Sequence, residues 1–302
     1  MTDRATGRAP IWAYGGVLLA VFSWAIAFPL VTIALTEISP IPLSSTRFVI
    51  TAFFAAIWIL WCRYRFPRWR HVGRFIICAM MGSLTYSICV NLGQQTVSPA
   101  AASLITNITP ILTALIAWPI LGERFTLAGW LGCLISFAGV SYIAIGQPGG
   151  LSFGAGATYL LLASLGAALY FVLQKPLIAT YGAMPSTAYT LLFSGLLLLP
   201  WFPEAITELR LASSSTLFAM AGLVLFPTVL AYLGSTVALG ALPASIMANF
   251  LYLIAPFATV LSFFFLGDVP SVPTLIGGAM AILGTIIVAR WGKAETNKLQ
   301  HA

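Results

Sequence analysis

The chain has 302 residues, 60% of them hydrophobic and only 7% charged, with a formal net charge of +7. A soluble domain carries about 25% charged residues, so a water-soluble globular protein is excluded. The uncharged runs 9–36, 75–122, 125–174, 176–203, 211–267 and 269–289 leave no loop long enough for an appended soluble domain.

A bilayer-spanning helix needs roughly 20 apolar residues. In chain order the runs predict helices near 12–35, 42–62, 72–94, 99–120, 125–145, 155–176, 184–203, 213–236, 243–266 and 271–290. The longer runs divide near Gln94–Pro99, at Gln147-Pro148-Gly149-Gly150 and, most weakly, at Gly240-Ala241-Leu242-Pro243. The fold class is therefore an all-α integral membrane protein of ten transmembrane helices. Arg4 and Arg8 ahead of an apolar core and Ala25-Ile26-Ala27 imitate a cleaved signal peptide. Cleavage would leave nine helices and unpair the first half from the second, so it is rejected.

The basic residues sort by loop. With the N-terminus cytoplasmic, the inner segments carry Arg4, Arg8, Arg63, Arg65, Arg68, Arg70, Arg74, Arg124, Lys175, Arg290, Lys293 and Lys298, while the outer loops carry only Arg210. That split follows the positive-inside rule with both termini cytoplasmic, and it accounts for the basic excess without nucleic acid. Cys62, Cys78, Cys89 and Cys133 all fall in predicted helices without a C-x-x-C, which points to buried structural thiols.

The second half repeats the first. Leu121, Gly122, Glu123, Gly132 and Gly139 recur as Leu266, Gly267, Asp268, Gly277 and Gly284, and Thr126 returns as Ser271, all at an offset of 145. Leu19-Ala20 and Phe28 match Leu162-Ala163 and Phe171 at 143, and Pro110 matches Pro256 at 146. Five helices is an odd number, so the second half enters the membrane from the opposite side. The halves are then inverted repeats around a central cavity, and such pairs build transporters with the site between them. The expected organisation is a cytoplasmic tail 1–10, a first repeat 11–146, a second, inverted repeat 147–290 and a cytoplasmic tail 291–302.

Ala-Ala-Ser-Leu-Ile-Thr-Asn-Ile-Thr-Pro (101–110), then Leu-Gly-Glu-Arg (121–124) and a Gly-rich helix, resembles the drug/metabolite transporter superfamily of EamA type. Trp24, Arg47-Phe48 and Leu-Gly-Asp (266–268) add to the resemblance, which covers nearly the whole chain. It implies ten helices in two inverted bundles and export of small metabolites. This chain departs from the pattern at Asp268, where Glu is usual, and in about two extra residues between Pro243 and Pro256 compared with Pro99 and Pro110.

Helical spacing places Ser103, Asn107 and Pro110 on one face of the fourth span, and Ser245, Asn249, Tyr252 and Pro256 on one face of the ninth. Polar groups inside a bilayer face the bundle interior or a water-filled cavity, so both stripes are expected to face one central space near the midplane. Interhelical hydrogen bonding is the competing role. Ser83, Ser87 and Asn91 form a stripe in the third span with Tyr86 beside it, and Gly166, Tyr170 and Gln174 share a face of the sixth. Trp24 lies mid-span, whereas Trp12, Trp61, Trp118, Trp201 and Trp291 fit an interfacial belt. Arg47 lies inside the second span about one turn from its outer end; it either holds a substrate carboxylate or gates against the other bundle, or it snorkels to the surface. Glu123 and Asp268 read as helix-ending and capping residues. Gly132-x-x-x-Ser136 and Gly277-x-x-x-Ala281 are faces for close helix packing, within the chain or in a dimer.

No phosphate-binding G-x-x-x-x-G-K-[ST], no H-E-x-x-H and no mid-membrane Ser–His pair occurs. The expectation is a non-enzymatic exporter without cofactor or metal, monomeric or homodimeric, in a bacterial cytoplasmic membrane. Its partners are a small-molecule substrate and the lipid bilayer, not nucleic acid. Aromatic and amide lining fits amino acids with large apolar or aromatic side chains, moved by alternating access. Drug or nucleobase efflux competes within the class; an intramembrane enzyme or lipid-handling protein competes from outside it.

Overall fold

The computed structural model describes residues 10–97, 99–145, 156–266 and 271–292, the side chains of Phe28, Thr32, 99–101, Ser103 and 262–266 excepted. Regular structure among the described residues is all helical. Ten helical spans are long and apolar enough to cross a membrane: α1 (Ile11–Ala34), α2 (Pro40–Trp61), α3 (Trp69–Gly93), α4 (99–121), α5 (Leu127–Ile145), α6 (Ala157–Tyr181), α7 (Ala183–Leu198, whose span runs on to Leu211), α8 (Ser214–Leu239), α9 (244–266) and α10 (Val272–Trp291). The expected boundaries hold within a few residues, and the weak division at Gly240–Pro243 is a real turn. The expected division at 147–150 lies outside the described residues. Local chemistry sets several ends. Gly122 closes α4 at φ +69°, a left-handed position that glycine takes without strain. Ser271 caps α10 by accepting from the Thr274 N–H, with Pro273 in the first turn.

Several features were not visible as helix breaks in the sequence. α3 loosens into a π-helical segment at Met80–Thr85 and α8 into one at Val224–Leu230. α4 is interrupted between Pro99–Thr106 and Thr109–Leu121, and α9 passes through a 3₁₀ turn at Phe250–Leu253. A short helix, Phe202–Leu211, follows α7. It is clamped to the α1–α2 turn: Glu208 accepts from the Ser39 N–H and hydroxyl at 2.8 and 2.7 Å. Nearby, Glu37 in that turn accepts from the Ser213 N–H at 2.7 Å, which holds its carboxyl below the usual range. Because that carboxyl is lowered on folding, its contribution to stability is present above its ordinary pKa of 4.5 and fades as pH falls below it.

The packing obeys an inverted two-fold relation. α5 lies along α10, α2 along α7 and α4 against α9, each helix meeting its own repeat mate. α1 packs on α8 as α6 packs on α3, and α4 meets α6 as α9 meets α1. The two π segments also correspond, as do Pro110 and Pro256, each in the first turn of a second helical segment. This is a ten-helix membrane fold of two inverted five-helix repeats.

Glycines carry the tightest of these contacts. A Cβ on Gly132 would lie 2.8 Å from the Gly284 carbonyl oxygen, and one on Gly139 would lie 2.5 Å from that of Gly277. Ser136, between them, donates to the Ala281 carbonyl at 3.1 Å. The same intimacy recurs at Gly16 against Gly234, and at Gly166 against Met81. Gly139→Val is expected to force α5 from α10 and to destabilise the protein by at least about 1–3 kcal/mol, the usual penalty of overpacking. Thermal unfolding in detergent checks this, with Gly15→Val, which has open space around it, expected to change little.

Candidate functional site

The interior polar groups assemble where α2, α3 and α8 meet. Arg47 is almost wholly buried, and its Nε and Nη2 donate to Thr228 Oγ1 at 3.3 and 3.2 Å. It therefore turns inward across the bundle instead of reaching the surface. Thr228 in turn donates to the Leu223 carbonyl at 2.7 Å, five residues back, a reach made available by the π segment. Tyr232, one turn on, donates to the Gly82 carbonyl at 2.7 Å inside the π segment of α3. Tyr86 and Tyr232 both lie within electrostatic range of the guanidinium. No carboxylate pairs with Arg47 among the described residues. An unpaired cation so placed is costly, and π segments often mark functional sites.

An aromatic chain leads from this cluster across the molecule. Ring contacts run from Phe48 to Tyr232 (6.1 Å), Tyr232 to Tyr170 (5.5 Å), Tyr170 to Phe171 (5.4 Å) and Phe171 to Trp24 (6.3 Å). Trp24 and Tyr86 keep part of their surface accessible, as does Asn107 at the interruption of α4. The Tyr170 hydroxyl is buried without a hydrogen bond. The guanidinium, phenols and rings together offer an anion contact beside an apolar wall.

The other residues expected to line the site have the following surroundings. Asn91 donates to the Pro40 carbonyl and to Ser44 Oγ, both at 3.0 Å, and Ser87 meets Ser44 at 2.8 Å, so this stripe fastens α3 to the start of α2. Ser83 joins Ser194 of α7 at 2.7 Å. Pro110 is buried at the start of its helical segment, where the Thr109 hydroxyl donates to the Thr106 carbonyl at 2.8 Å. Ser245 sits at the N-terminus of α9 on Glu123. Asn249 is fully buried next to Cys133, and Tyr252 reaches the same Cys133 thiol at 3.7 Å. Pro256 lies in the turn of α9 that follows, and the Ser103 side chain is outside the described residues. The first segment of α9 packs on the second segment of α4, so the helices that carry the two stripes are neighbours.

Glu123 does more than close a helix. Its carboxylate accepts from Lys175 Nζ at 2.7 Å, from the N–H groups of Ala244 and Ser245 at 3.0 and 3.2 Å, and from Ser245 Oγ at 3.0 Å. Lys175 also donates to the Leu242 carbonyl at 2.9 Å. An acidic group at a helix N-terminus satisfies orphan donors and meets the positive end of the dipole. Here the helix is α9, not the α5 that follows Glu123 in sequence. This latch ties α4, α6 and α9 together at one end of the bundle. Sequence reasoning missed Tyr232 and Thr228 as well. The repeat held the signal, since Tyr86 and Tyr232 are 146 residues apart, the offset of the two prolines.

Comparison with known proteins places this architecture. The family model described as EamA-like transporter family matches residues 11–145 and again 154–290. A probable terminal-alkyne amino-acid exporter of Streptantibioticus cattleyicolor is 29% identical over 93% of this chain and 93% of its own length. An uncharacterized transporter of Bacillus subtilis is 29% identical over 88% of this chain and 87% of its own. A crystal structure with 19% sequence identity superposes at a TM-score of 0.74, covering 91% of this chain and 96% of its own, and shares the fold.

Removing the latch should be felt in stability first. Glu123→Ala leaves Lys175 and the α9 N-terminus without their acceptor and is expected to cost about 1–3 kcal/mol, with the partial exposure of Lys175 favouring the lower end. Glu123→Gln, which keeps an acceptor oxygen, should lose less. Unfolding midpoints of the two variants against the parent protein check the order.

Proposed function

The chain belongs to the EamA-like transporter family, and on that premise we propose that it exports amino acids with large apolar or aromatic side chains by alternating access. It is a membrane transporter; the substrate class is the further step. The observation that carries this step is the buried Arg47, without a carboxylate among the described residues and flanked by Tyr86, Tyr232 and Thr228. A guanidinium presents a planar fork of donors suited to a carboxylate. The α-carboxylate of the substrate lies on Arg47 and Thr228, its side chain packs toward Tyr170, Phe171 and Trp24, and Asn107 meets its polar end. The amino-acid exporter among the relatives supports the same class.

Hydrogen bonds to charged groups contribute about 1.5–3 kcal/mol, so Arg47→Gln is expected to weaken apparent affinity roughly ten- to a hundred-fold. Arg47→Lys should keep part of it. Asn91→Ala should lose stability and keep affinity, because Asn91 holds α3 to α2. Competition by decarboxylated analogues in liposomes holding only this protein separates the readings. If analogues lacking the carboxylate compete as well as the amino acids, and Arg47→Gln transports normally at matched thermal stability, the carboxylate site is wrong and efflux of neutral drugs or nucleobases takes its place.

Orientation follows from the charge split: both termini cytoplasmic in a bacterial inner membrane, with Gly149 outside. A cysteine introduced at Gly149 should label from the external face of intact cells; labelling only after permeabilisation would reverse the topology.

The ten spans contain no Asp or Glu at mid-membrane, so transport runs down the substrate gradient or couples weakly to protons. Imposing a proton gradient on the liposomes should produce little accumulation against the substrate gradient, and large accumulation would overturn this.

A further inference from the structure

A cavity of about 330 Å³ lies between α1, α9 and α10, apart from the Arg47 cluster. It falls at the lower end of the range of small-ligand sites, about 300–1,000 Å³. Tyr14, Phe250, Leu253, Ile282 and Ile286 give it apolar walls, and Arg290 stands at its end. Ile282 and Ile286 are each nearly half exposed on the flank of α10, so the cavity opens sideways, toward the bilayer. Ile282, Ile286 and Arg290 follow one another at four-residue intervals on one stripe. At 1.5 Å per residue that stripe runs about 12 Å down from the charged end.

The charge at the end is available. Arg290 is in the last turn of α10, is exposed, and forms no ion pair among the described residues. Trp12 at the start of α1 and Trp291 at the end of α10 are both about half exposed at this level. Exposed tryptophans at helix ends mark the headgroup layer. The groove thus presents a cation at headgroup depth and an apolar slot leading into the hydrocarbon. That is the profile of a phospholipid, phosphate above and acyl chain below. Basic pockets between helices select lipids with net negative charge, because a zwitterionic headgroup brings its own cation.

We infer that this groove holds one anionic phospholipid, its phosphate on Arg290 and an acyl chain along Ile286, Ile282 and the 3₁₀ turn of α9. Phe250 and Leu253 belong to that turn, and Phe250 meets Tyr14 edge-on at 6.2 Å. The chain therefore braces α9 where its helix is interrupted.

The full-length protein purified in detergent provides the test. Thermal unfolding is followed while phosphatidylglycerol, phosphatidylcholine or inorganic phosphate is added, and retained lipid is counted by native mass spectrometry. One phosphatidylglycerol per protein should be retained, raising the midpoint more than phosphatidylcholine does. A basic side chain near an anionic lipid contributes about 1 kcal/mol, so Arg290→Gln should weaken the phosphatidylglycerol response about fivefold. Ile286→Trp should fill the slot and abolish it, whereas Leu217→Trp on the exposed surface of α8 should leave it intact. Equal responses to the two lipids, an unchanged response in Arg290→Gln, or reproduction of the effect by phosphate alone would each overturn the proposal. If Ile286→Trp does not fold, Arg290→Gln decides.

Discussion

Everything in this molecule is arranged around two helices touching backbone to backbone. In lipid there is no hydrophobic gain from burying one apolar helix against another, so association depends on close van der Waals approach. α5 and α10 achieve it with Gly132, Gly139, Gly277 and Gly284, crossed so that each glycine of one repeat meets the other glycine of its mate. The inverted relation makes that possible, because antiparallel repeat mates present the same spacing to each other. Once this pair is fixed, α2 on α7 and α4 on α9 fall on the same axis, and α1 and α6 are carried to α8 and α3.

The polar interior is a second consequence of an apolar solvent. Backbone and side-chain groups need partners within the protein. Thr51, Thr113, Ser164, Ser194 and Thr285 each donate to the carbonyl four residues back, closing their own hydrogen bonds inside the helix. Where the helices of the central cluster are loosened instead, the freed groups are used across helices: Gly82 receives Tyr232, and Thr228 receives Arg47 while it reaches back to Leu223. The π segments thus let hydroxyls serve two elements at once.

Much of the fold was legible because charge is so scarce. Runs between charged residues located the ten helices, and the spacing of Gly132, Gly139, Gly277 and Gly284 announced the repeat and its packing face. Less of the site could be read. A stripe such as Ser83–Ser87–Asn91 has the same periodicity whether it faces a cavity or a neighbouring helix, and its partners on α2 and α7 decide the matter from distant sequence. Ser245 is the same case: its hydroxyl belongs to a carboxylate more than a hundred residues away. Pro110, which in the sequence is one member of a helical stripe, is a helix start, where its missing N–H costs no intrahelical bond. Tyr232 was within reach of the repeat offset, but only a residue-by-residue alignment of α3 with α8 exposes it.

The latch of Glu123 and Lys175 has no full counterpart. At the repeat offsets Glu123 corresponds to Asp268, but Lys175 corresponds to Thr32. An acidic residue thus recurs in the second half, while the cation occurs in one half alone. Perfect two-fold symmetry would give the two ends of the bundle the same fastening. A cation present at one end breaks that equality: the end where α4, α6 and α9 meet carries a charged tie, and the matching position of the other half holds a neutral threonine. Duplication supplied matched helices, and the difference between Lys175 and Thr32 leaves the two ends of the bundle unequally fastened.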